Sequence, residues 1–389
     1  MRRRTFRQRR RNQRILIGVL VTAAAASAFA WGWAKSGYCR IPPAKGPPTY
    51  TVTPAAMPRP TFERAVVTAS PTSTPPPYPA DMQALVLEGR EGAYTIGWLS
   101  DTQHYAEEET GRALYLAMTA FLRDEQEALN LRYVVHTGDL VHHSNKAYEW
   151  GVAQEAFANL AGIPYGVLAG NHDWDPESGD MGGYAKYFGE KAMRARPDSA
   201  YYQEAYQDNR GHYDLIDAGN TKYLFVYLSY SPDSGCIAWA NEIFARYPAR
   251  VGVLCVHDYF NTEMELSPAG KTLYRKVVAK NPNLYLVLCG HRYNIGYAPI
   301  QFDDDGDGKM DRTVYQLMCN YQAAGDQGGD GYMQFLQVDE IQKEIRVYAY
   351  SPVTQDRRYF DTPGAQEEKY PVDPKNEEYI LPIPWRLEK

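Results

Sequence analysis

Seven of the eight histidines of this chain lie in or beside five short polar segments, and each segment directly follows an apolar, strand-like run. The segments also contain carboxylate and amide side chains. Imidazole, carboxylate and amide groups without cysteine suit a borderline or hard divalent cation such as Mn, Fe or Zn. The five segments are Asp101-Thr102-Gln103-His104, His136-Thr137-Gly138-Asp139 with His142 and His143, Gly170-Asn171-His172-Asp173, Val256-His257-Asp258, and Gly290-His291.

Each segment taken alone has an ordinary structural explanation. Gly-Asp after a strand is more often a turn than a ligand, Asn-His-Asp can cap a helix, and a single His at a strand end usually supports structure. Their shared position is the stronger signal, because the loops at the carboxyl ends of strands in a layered α/β fold share one edge. We therefore expect the five segments to converge on one crevice.

The elements that must position these segments alternate between strands and helices and then become β-rich. This order predicts an α/β fold in which sheet packs on sheet and helices lie outside. The predicted strands cover residues 94–100, 133–137, 165–169, 251–256 and 284–289, the predicted helices cover 109–130, 144–160, 237–247 and 267–280, and the β-rich runs cover 212–217, 222–230 and 297–350.

The ordered motifs resemble those of the calcineurin-like metallophosphoesterases. The motifs of that family run D-x-H, G-D, G-N-H-D/E, a lone His and G-H-x-H, and the similarity covers roughly residues 94–350. The Gly170 to Asp173 match is the most specific, and the Asp-Thr-Gln opening is similar to a branch of exported bacterial members. The resemblance implies a four-layer α/β/β/α sandwich, a two-metal site and hydrolysis of phosphomonoesters or phosphodiesters.

The resemblance also implies which residues bind the two cations. One carboxylate would bridge both metals, and a water between them would be the nucleophile. The implied ligands are Asp139 as the bridge, Asp101 and Gln103 at the first metal, and Asn171, His257 and His291 at the second.

Two further residues carry implied catalytic roles. His172 would act as a general acid or electrostatic clamp near the leaving-group oxygen. Asp173 would orient the His172 ring.

The first metal site departs from the family pattern at two positions. Gln103 stands where the family usually has His, and Tyr293 stands where the second His of G-H-x-H would be. An amide oxygen can still ligate, whereas a neutral Tyr is a poor ligand. His104 is a substitute ligand, although strand alternation would point it away from Gln103, and His142 is a further candidate near the site. We expect a first site that is weak or selective for a harder metal.

The same departures keep an alternative function open. A non-catalytic binding protein of the cell envelope could retain the fold and a single metal. His172 argues against that interpretation, because a binding scaffold has no need of it.

A second acidic cluster has the spacing of a calcium-binding loop, with a glycine at the sharp turn. Val314 stands where a bidentate Glu would complete an EF-hand, so we expect at most a short structural Ca²⁺ loop, with an acidic turn as the alternative. The candidate ligands are Asp303, Asp305, Asp307, Lys309 and Asp311.

The N-terminal region is predicted to export the protein. Residues 1–14 contain eight arginines and form a basic cytoplasmic segment, and residues 15–34 are uncharged. Twenty apolar residues can span a hydrocarbon core of ~30 Å as a helix, and the arginines place the chain after residue 34 outside the cytoplasm. A cleaved signal peptide with subsequent secretion is the alternative. Residues 35–84 are a proline-rich linker, and 85–389 are the phosphoesterase domain with a β-rich C-terminal part.

The net charge of −6 conceals an asymmetry. Residues 1–62 contain twelve Lys or Arg and no acidic residue, so the remainder has 29 basic against 47 acidic residues. Because phosphate backbones are bound by Lys and Arg, we expect no nucleic-acid partner. The expected partners are a phosphoester of unspecified type and, through the N-terminal helix, the membrane; the oligomeric state is left open.

Overall fold

Two β-sheets and eight α-helices organise the residues that the computed structural model describes, which are 78–175, 178–325, 327–361 and 372–387. The helices are α1 (Ala80–Gln83), α2 (Gln103–Glu107), α3 (Glu109–Asp124), α4 (Ala147–Ala158), α5 (Gly182–Phe188), α6 (Glu190–Arg194), α7 (Ser234–Arg246) and α8 (Pro268–Lys276).

The first sheet has six strands in the order β13-β12-β11-β1-β2-β3. Its strands β1, β2 and β3 run parallel, whereas β11, β12 and β13 add antiparallel pairs. The strands are β1 (Ala93–Leu99), β2 (Leu131–His136), β3 (Tyr165–Val167), β11 (Met333–Asp339), β12 (Glu344–Tyr350) and β13 (Glu378–Pro382).

The second sheet has seven strands in the order β4-β5-β6-β7-β8-β10-β9. Its central strands β6, β7, β8 and β10 run parallel, and antiparallel strands complete both edges. The strands are β4 (Tyr202–Tyr206), β5 (Gly211–Ala218), β6 (Thr221–Leu228), β7 (Val251–Val256), β8 (Leu284–Cys289), β9 (Ile295–Phe302) and β10 (Arg312–Cys319).

The two sheets share one hydrophobic core, and strand β6 shows how the sequence builds it. Tyr223, Phe225 and Tyr227 belong to the cluster that includes the first sheet, whereas the alternating Leu224 and Val226 belong to a second cluster with α7 and α8. Alternate side chains of a strand point to opposite faces. Strand β6 is therefore covered on both sides, which explains its continuous apolar run.

Local capping residues fix where the outer helices begin. The Asp233 side chain accepts a hydrogen bond from the Cys236 amide at the start of α7, and Ser267 accepts from the Gly270 amide at the start of α8. Such side chains satisfy amides that have no partner inside the helix. Pro268 in the first turn of α8 fits because its missing N–H would have had no helical partner.

The mixed α/β fold with two sheets is confirmed, and the main differences concern element ends. The helix predicted over 109–130 ends at Asp124, and turns over residues 125–130, the last with φ 45° at Asn130, lead the chain into β2. Residues 103–107, for which no helix is predicted, form the short helix α2.

The structure describes the end of the predicted linker but not the N-terminal segment before it. Met82 lies in the core with 2% exposure and the Ala84 carbonyl accepts from the Tyr348 hydroxyl, so the last residues assigned to the linker pack with the domain. Residues 1–77, with the basic segment and the anchor or signal sequence, lie outside the described residues. Within the part of the chain that is described, no helix has the length and apolarity to span a membrane.

Candidate metal centre

The five polar segments meet at one edge, where the parallel strands of both sheets end. Hydrogen bonds between the sheets hold this edge together. Nδ1 of His257, after β7, lies 2.8 Å from the carbonyl oxygen of Thr137, after β2. The backbone N–H of His291, after β8, donates to both carboxylate oxygens of Asp101, after β1, at 3.0 and 3.1 Å. The predicted convergence is thus observed between loops of different sheets.

Three ligand atoms face one another around His257. The Thr137 carbonyl can only accept, so Nδ1 of His257 donates to it, and in the neutral ring Nε2 presents a lone pair. That Nε2 lies 3.0 Å from Oδ1 of Asn171 and 3.3 Å from Oδ2 of Asp139. Ligand atoms of Asp139, His257 and His291 lie within 4.8 Å of one another. This grouping is one that could hold a metal ion when the His257 ring is neutral.

Electrostatics at this position also call for positive charge. Burial alone would lower the pKa of His257, but the charge and hydrogen bond of Asp139, the charge of Asp101 and the contact with the Thr137 carbonyl together raise this pKa to about 10. Burial would raise the pKa of Asp139, but the charge and hydrogen bond of His257 lower it. Burial, with the charge of His257, lowers the pKa of His291 to about 3. The Asp139 carboxylate therefore calls for a positive charge beside it, which protonated His257 supplies in the absence of a metal and a bound cation would supply once His257 is neutral; His291 stays neutral, with a lone pair for a ligand.

Three candidate ligands adopt a backbone conformation that side chains rarely take. Asp101, Asp139 and His291 have φ of 53°, 58° and 73°. Such left-handed residues cost roughly 1–3 kcal/mol each and persist where the surrounding structure enforces them. Each lies just after a strand, so the strain turns a side chain from the sheet edge into the centre.

Glycines beside the ligands allow the loops to approach closely. A Cβ on Gly170 would lie 2.1 Å from Oδ1 of Asp139, and one on Gly290 would lie 2.2 Å from Oδ2 of Asp101. Real Cβ atoms do not approach so closely. The glycines of the Gly-Asn-His and Gly-His motifs therefore serve packing around the carboxylates.

Asp101 and Gln103 lie beside Asp139, where the candidate first metal site is expected. Burial raises the pKa of Asp101 to about 7, which indicates a carboxylate short of positive charge. Nε2 of Gln103 lies 3.3 Å from Oδ2 of Asp139, while its Oε1 is buried and has no hydrogen-bond partner among the described residues. A buried orphan oxygen is costly. Both observations fit a cation held by Asp101, Gln103 and Asp139.

Gln322 is a neighbour of this site that the sequence interpretation missed. Its Oε1 accepts from Nε2 of Gln103 at 2.5 Å. Gln322 follows β10, which runs parallel to β8, so it lies at the same edge as His291. The signal was available, because polar Asn320 and Gln322 follow an apolar strand directly, as the other segments do.

His172 is placed for chemistry, but its support differs from the prediction. Its backbone N–H donates to Oδ1 of Asp139 at 2.9 Å, and its Nδ1 lies 3.0 Å from the carbonyl oxygen of His142. Since a carbonyl only accepts, Nδ1 carries the proton in this contact and Nε2 is left for a substrate. The ring also stacks on His142 with centroids 4.7 Å apart. His142, not Asp173, therefore orients the ring.

Asp173 has a structural role instead. Its Oδ1 accepts from the amides of Leu140 and Val141 at 2.8 and 3.0 Å, and its Oδ2 accepts from the Gly170 amide at 2.8 Å. The predicted contact with the His172 ring is thus replaced by a tie between two ligand-bearing loops. The physical reason is that a fully buried carboxylate is stabilised best by several backbone amides.

The remaining candidate ligands lie around this centre. Because α2 is helical, His104 lies one turn from Glu107, with Nδ1 and Oε1 2.5 Å apart, so the strand-alternation argument does not apply. His142 faces the same Glu107 at 3.5 Å. Tyr293 is half-buried in the segment between β8 and β9, and its role as a ligand stays a prediction.

Aromatic and basic side chains border the centre on one side. The Tyr230 ring lies 5.9 Å from His291 and 6.0 Å from His257, and it meets Trp174 edge-on at 5.8 Å. Burial raises the pKa of Tyr230, which the exposed Arg292 opposes through its charge. Tyr230 follows strand β6 and Trp174 follows the Asn-His-Asp motif, so position after a strand was again the available signal.

The acidic loop between β9 and β10 brings part of its predicted ligand set together. Carboxyl oxygens of Asp303, Asp305 and Asp311 lie within 4.8 Å of one another. Nζ of Lys309 pairs with Asp307 at 3.1 Å, which partly neutralises that carboxylate. Calcium binding at this loop stays a prediction.

Comparison with known proteins gives one family match. The model of the calcineurin-like phosphoesterase family matches residues 94–294. The uncharacterized protein YvnB of Bacillus subtilis (strain 168) is 38% identical over 271 residues. That alignment covers 69% of this chain and 21% of YvnB, so the chain spans about a fifth of this relative.

Solved structures with a similar fold have low sequence identity. Purple acid phosphatase PPD1 from yellow lupin (Lupinus luteus) seeds has a TM-score of 0.44 and 12% identity, over 68% of this chain and 52% of that chain. GAP50, described as the anchor in the inner membrane complex of Plasmodium, has a TM-score of 0.43 and 10% identity, over 74% of this chain and 93% of that chain. The 5'-nucleotidase precursor from Thermus thermophilus has a TM-score of 0.39 and 14% identity, over 63% of this chain and 51% of that chain.

Proposed function

Because the chain belongs to the calcineurin-like phosphoesterase family, we propose that it hydrolyses phosphomonoesters or phosphodiesters with two divalent cations outside the cytoplasm. Metal-dependent hydrolysis of phosphoesters is the general activity that membership supports. The observation that carries the proposal is the convergence of Nε2 of His257, Oδ1 of Asn171 and Oδ2 of Asp139. With His257 neutral, its Nε2, the Asn171 amide oxygen and the Asp139 carboxylate form a donor set that suits a divalent cation.

We infer the ligands of each cation from the donor set. Asp139 would serve both, with Asp101 and Gln103 at the first site; the second would be completed by Asn171, His257 and His291. Bound there, two cations would supply a water of lowered pKa and neutralise phosphoryl oxygens. Nitrogen and oxygen ligands without sulfur favour Mn, Fe or Zn. The first site, with an amide in place of an imidazole, would be the weaker one.

His172 would supply the proton at the leaving group. Nδ1 is held by the His142 carbonyl, and the backbone N–H of His172 is held by Asp139, so the imidazole has a fixed direction. A protonated Nε2 would donate to the departing oxygen, a type of catalysis that contributes about 10²–10⁴ in rate. Arg292 and Tyr230 at the border would contact the phosphate and the rest of the substrate.

Export rests on the sequence of the N-terminal region. Eight arginines in residues 1–14 followed by twenty uncharged residues are typical of a signal anchor, with a cleaved signal as the alternative. We propose a single-pass membrane protein whose domain is held away from the bilayer by the proline-rich linker. Exclusive labelling of an engineered cysteine in residues 85–389 by a membrane-impermeant reagent on intact cells would support this topology, and labelling only after lysis would contradict it.

The alternative of a non-catalytic binding protein predicts metal binding without turnover. The carboxylate, amide and imidazole set together with a positioned His172 favours the enzyme. The test is hydrolysis of p-nitrophenyl phosphate and bis(p-nitrophenyl) phosphate by the full chain, first stripped with a chelator and then reloaded. Turnover that returns only with a divalent cation supports the phosphoesterase, and cation binding with no turnover of either ester supports the binding protein.

A further inference from the structure

A second group of metal-binding side chains lies beside the centre and is separate from it. His104 and Glu107 are one turn apart on α2, and His142 comes from the loop after β2. Nδ1 of His104 lies 2.5 Å and Nδ1 of His142 lies 3.5 Å from the same oxygen of Glu107. The three ligand atoms lie within 4.8 Å of one another. None of these side chains is a ligand in the proposed two-metal centre.

One nitrogen of the group lacks a partner. Nδ1 of His142 is buried, yet it has no hydrogen bond to any described residue. Glu107 is close enough for an ionic contact, but its oxygen already bonds His104. A buried polar atom without a partner costs about 1–3 kcal/mol. A cation shared with Glu107 and His104 would remove this cost.

The exposure of the group suits an ion that enters from solvent. The side chains of His104, Glu107 and His142 are 37%, 31% and 28% exposed. Two imidazoles and one carboxylate are a common ligand set for zinc sites that keep a further position open for water. Partial exposure leaves room for that water, while the rings and the carboxylate supply three ligands from two separate segments.

We propose that His104, Glu107 and His142 form a third divalent-cation site, of a type that takes Zn²⁺, outside the two-metal centre. The site needs no phosphoesterase activity and goes beyond the proposed function. Its position gives it a consequence for the centre, because the His142 ring stacks on the His172 ring at an interplanar angle of 25° and the His142 carbonyl holds Nδ1 of His172. A cation on His142 would tie the residue that orients His172 to α2.

The test counts zinc ions in matched variants of the full chain. Glu107→Gln removes the shared carboxylate, and Glu108→Gln, at the exposed neighbouring position, is its control. Each protein is stripped with a chelator, and Zn²⁺ is titrated in competition with a chromophoric chelator. We expect the parent and Glu108→Gln to bind the same number of ions, and Glu107→Gln to bind one fewer. Equal zinc counts in the parent and Glu107→Gln would overturn the proposal in favour of a cation-free hydrogen-bonded group.

A second variant keeps the test decisive if Glu107→Gln does not fold. His104→Gln changes a more exposed side chain, and thermal unfolding identifies which variants are folded. We expect it to bind one zinc ion fewer than the parent, and an unchanged count would contradict the site. Because the result is a difference between variants, it does not depend on whether the centre hydrolyses phosphoesters.

Discussion

The ring of His172 stacks on the ring of His142 with centroids 4.7 Å apart, and the carbonyl oxygen of His142 lies 3.0 Å from Nδ1 of His172. One neighbour thus fixes both the plane of the imidazole and the nitrogen that carries its proton. The remaining nitrogen, Nε2, is the one that can act on a substrate. The contact with the backbone carbonyl does not depend on the side chain at position 142, whereas the ring stacking does.

This arrangement predicts a specific loss on replacing His172. We expect His172→Gln to reduce kcat by about 10²–10⁴-fold, the range for a lost general acid, while zinc binding is unchanged. His143→Gln is the control, because His143 lies in the same loop as His142, is 50% exposed and pairs with Glu149. Steady-state kinetics and zinc titration check both variants. A His172→Gln enzyme with parental kcat would remove His172 from the chemistry.

Asp173 is expected to affect stability more than chemistry. Asp173→Asn would bring an amide NH₂ against one of the three backbone amides that the carboxylate accepts, so we predict a loss of about 1–3 kcal/mol of unfolding free energy. Urea unfolding of the parent and Asp173→Asn, both stripped of metal with a chelator, measures this free-energy difference. Parental stability combined with a strong loss of kcat would instead return Asp173 to the role of orienting His172.

The weak first metal site predicts unequal binding steps. In a Glu107→Gln background, which removes the proposed outer site, we expect zinc to bind in two steps of different affinity. Gln103→His should tighten the weaker step, since imidazole is a better zinc ligand than an amide oxygen. Calorimetric titration separates the steps. Two equally tight zinc sites before the Gln103→His change would contradict a weak first site.

The buried carboxylate of Glu377, just before β13, predicts how the stability of the fold depends on pH. Burial raises the pKa of Glu377 from 4.5 to about 8, and its Oε1 has no hydrogen-bond partner within the described ranges. A carboxyl group with a raised pKa binds its proton more tightly in the folded state, so it stabilises the fold at low pH. This stability is lost as pH rises from 4.5 to 8.

Glu377→Gln should therefore flatten the fall in Tm over this pH window and raise Tm at pH 8. A gain of 1 kcal/mol corresponds to about 2–4 °C in a domain of 150–250 residues and to a smaller rise in this longer chain. Glu378→Gln is the control, because the adjacent Glu378 is only half-buried and pairs with Arg357 and Arg358. A parallel pH profile for Glu377→Gln and the parent would contradict the burial argument.

The sequence located the centre because its ligands follow apolar strands. The strands at 251–256 and 284–289 have the predicted bounds, and His257 and His291 follow them directly or after one glycine. A polar residue directly after an apolar strand can be recognised without knowledge of the fold. The expectation that all strand ends share an edge was enough to predict that loops of the two sheets meet, as Thr137 and His257 do.

Contacts between distant loops were the part that could not be predicted. The position of Gln322 after a strand marks it as a candidate, but its contact with Gln103 across 219 positions depends on β10 lying beside β8, a long-range pairing that local pattern does not specify. The Asp173 carboxylate bonds the amides of Leu140, Val141 and Gly170, and not the His172 ring, because the loops place those amides within hydrogen-bond distance. At His104, helix formation in α2 overrode the alternation expected of an extended segment.

The central claim is that the cations at Asp139 make this chain a phosphoesterase. The most direct measurement is hydrolysis of p-nitrophenyl phosphate and bis(p-nitrophenyl) phosphate by the stripped full chain, reloaded separately with Mn²⁺, Zn²⁺ or Fe²⁺. Asp139→Asn is compared with Asp217→Asn, a control at a side chain that is 63% exposed. We predict metal-dependent turnover in the parent and Asp217→Asn that is lost in Asp139→Asn. Equal turnover by Asp139→Asn and the parent, or turnover that persists without any divalent cation, would contradict the claim.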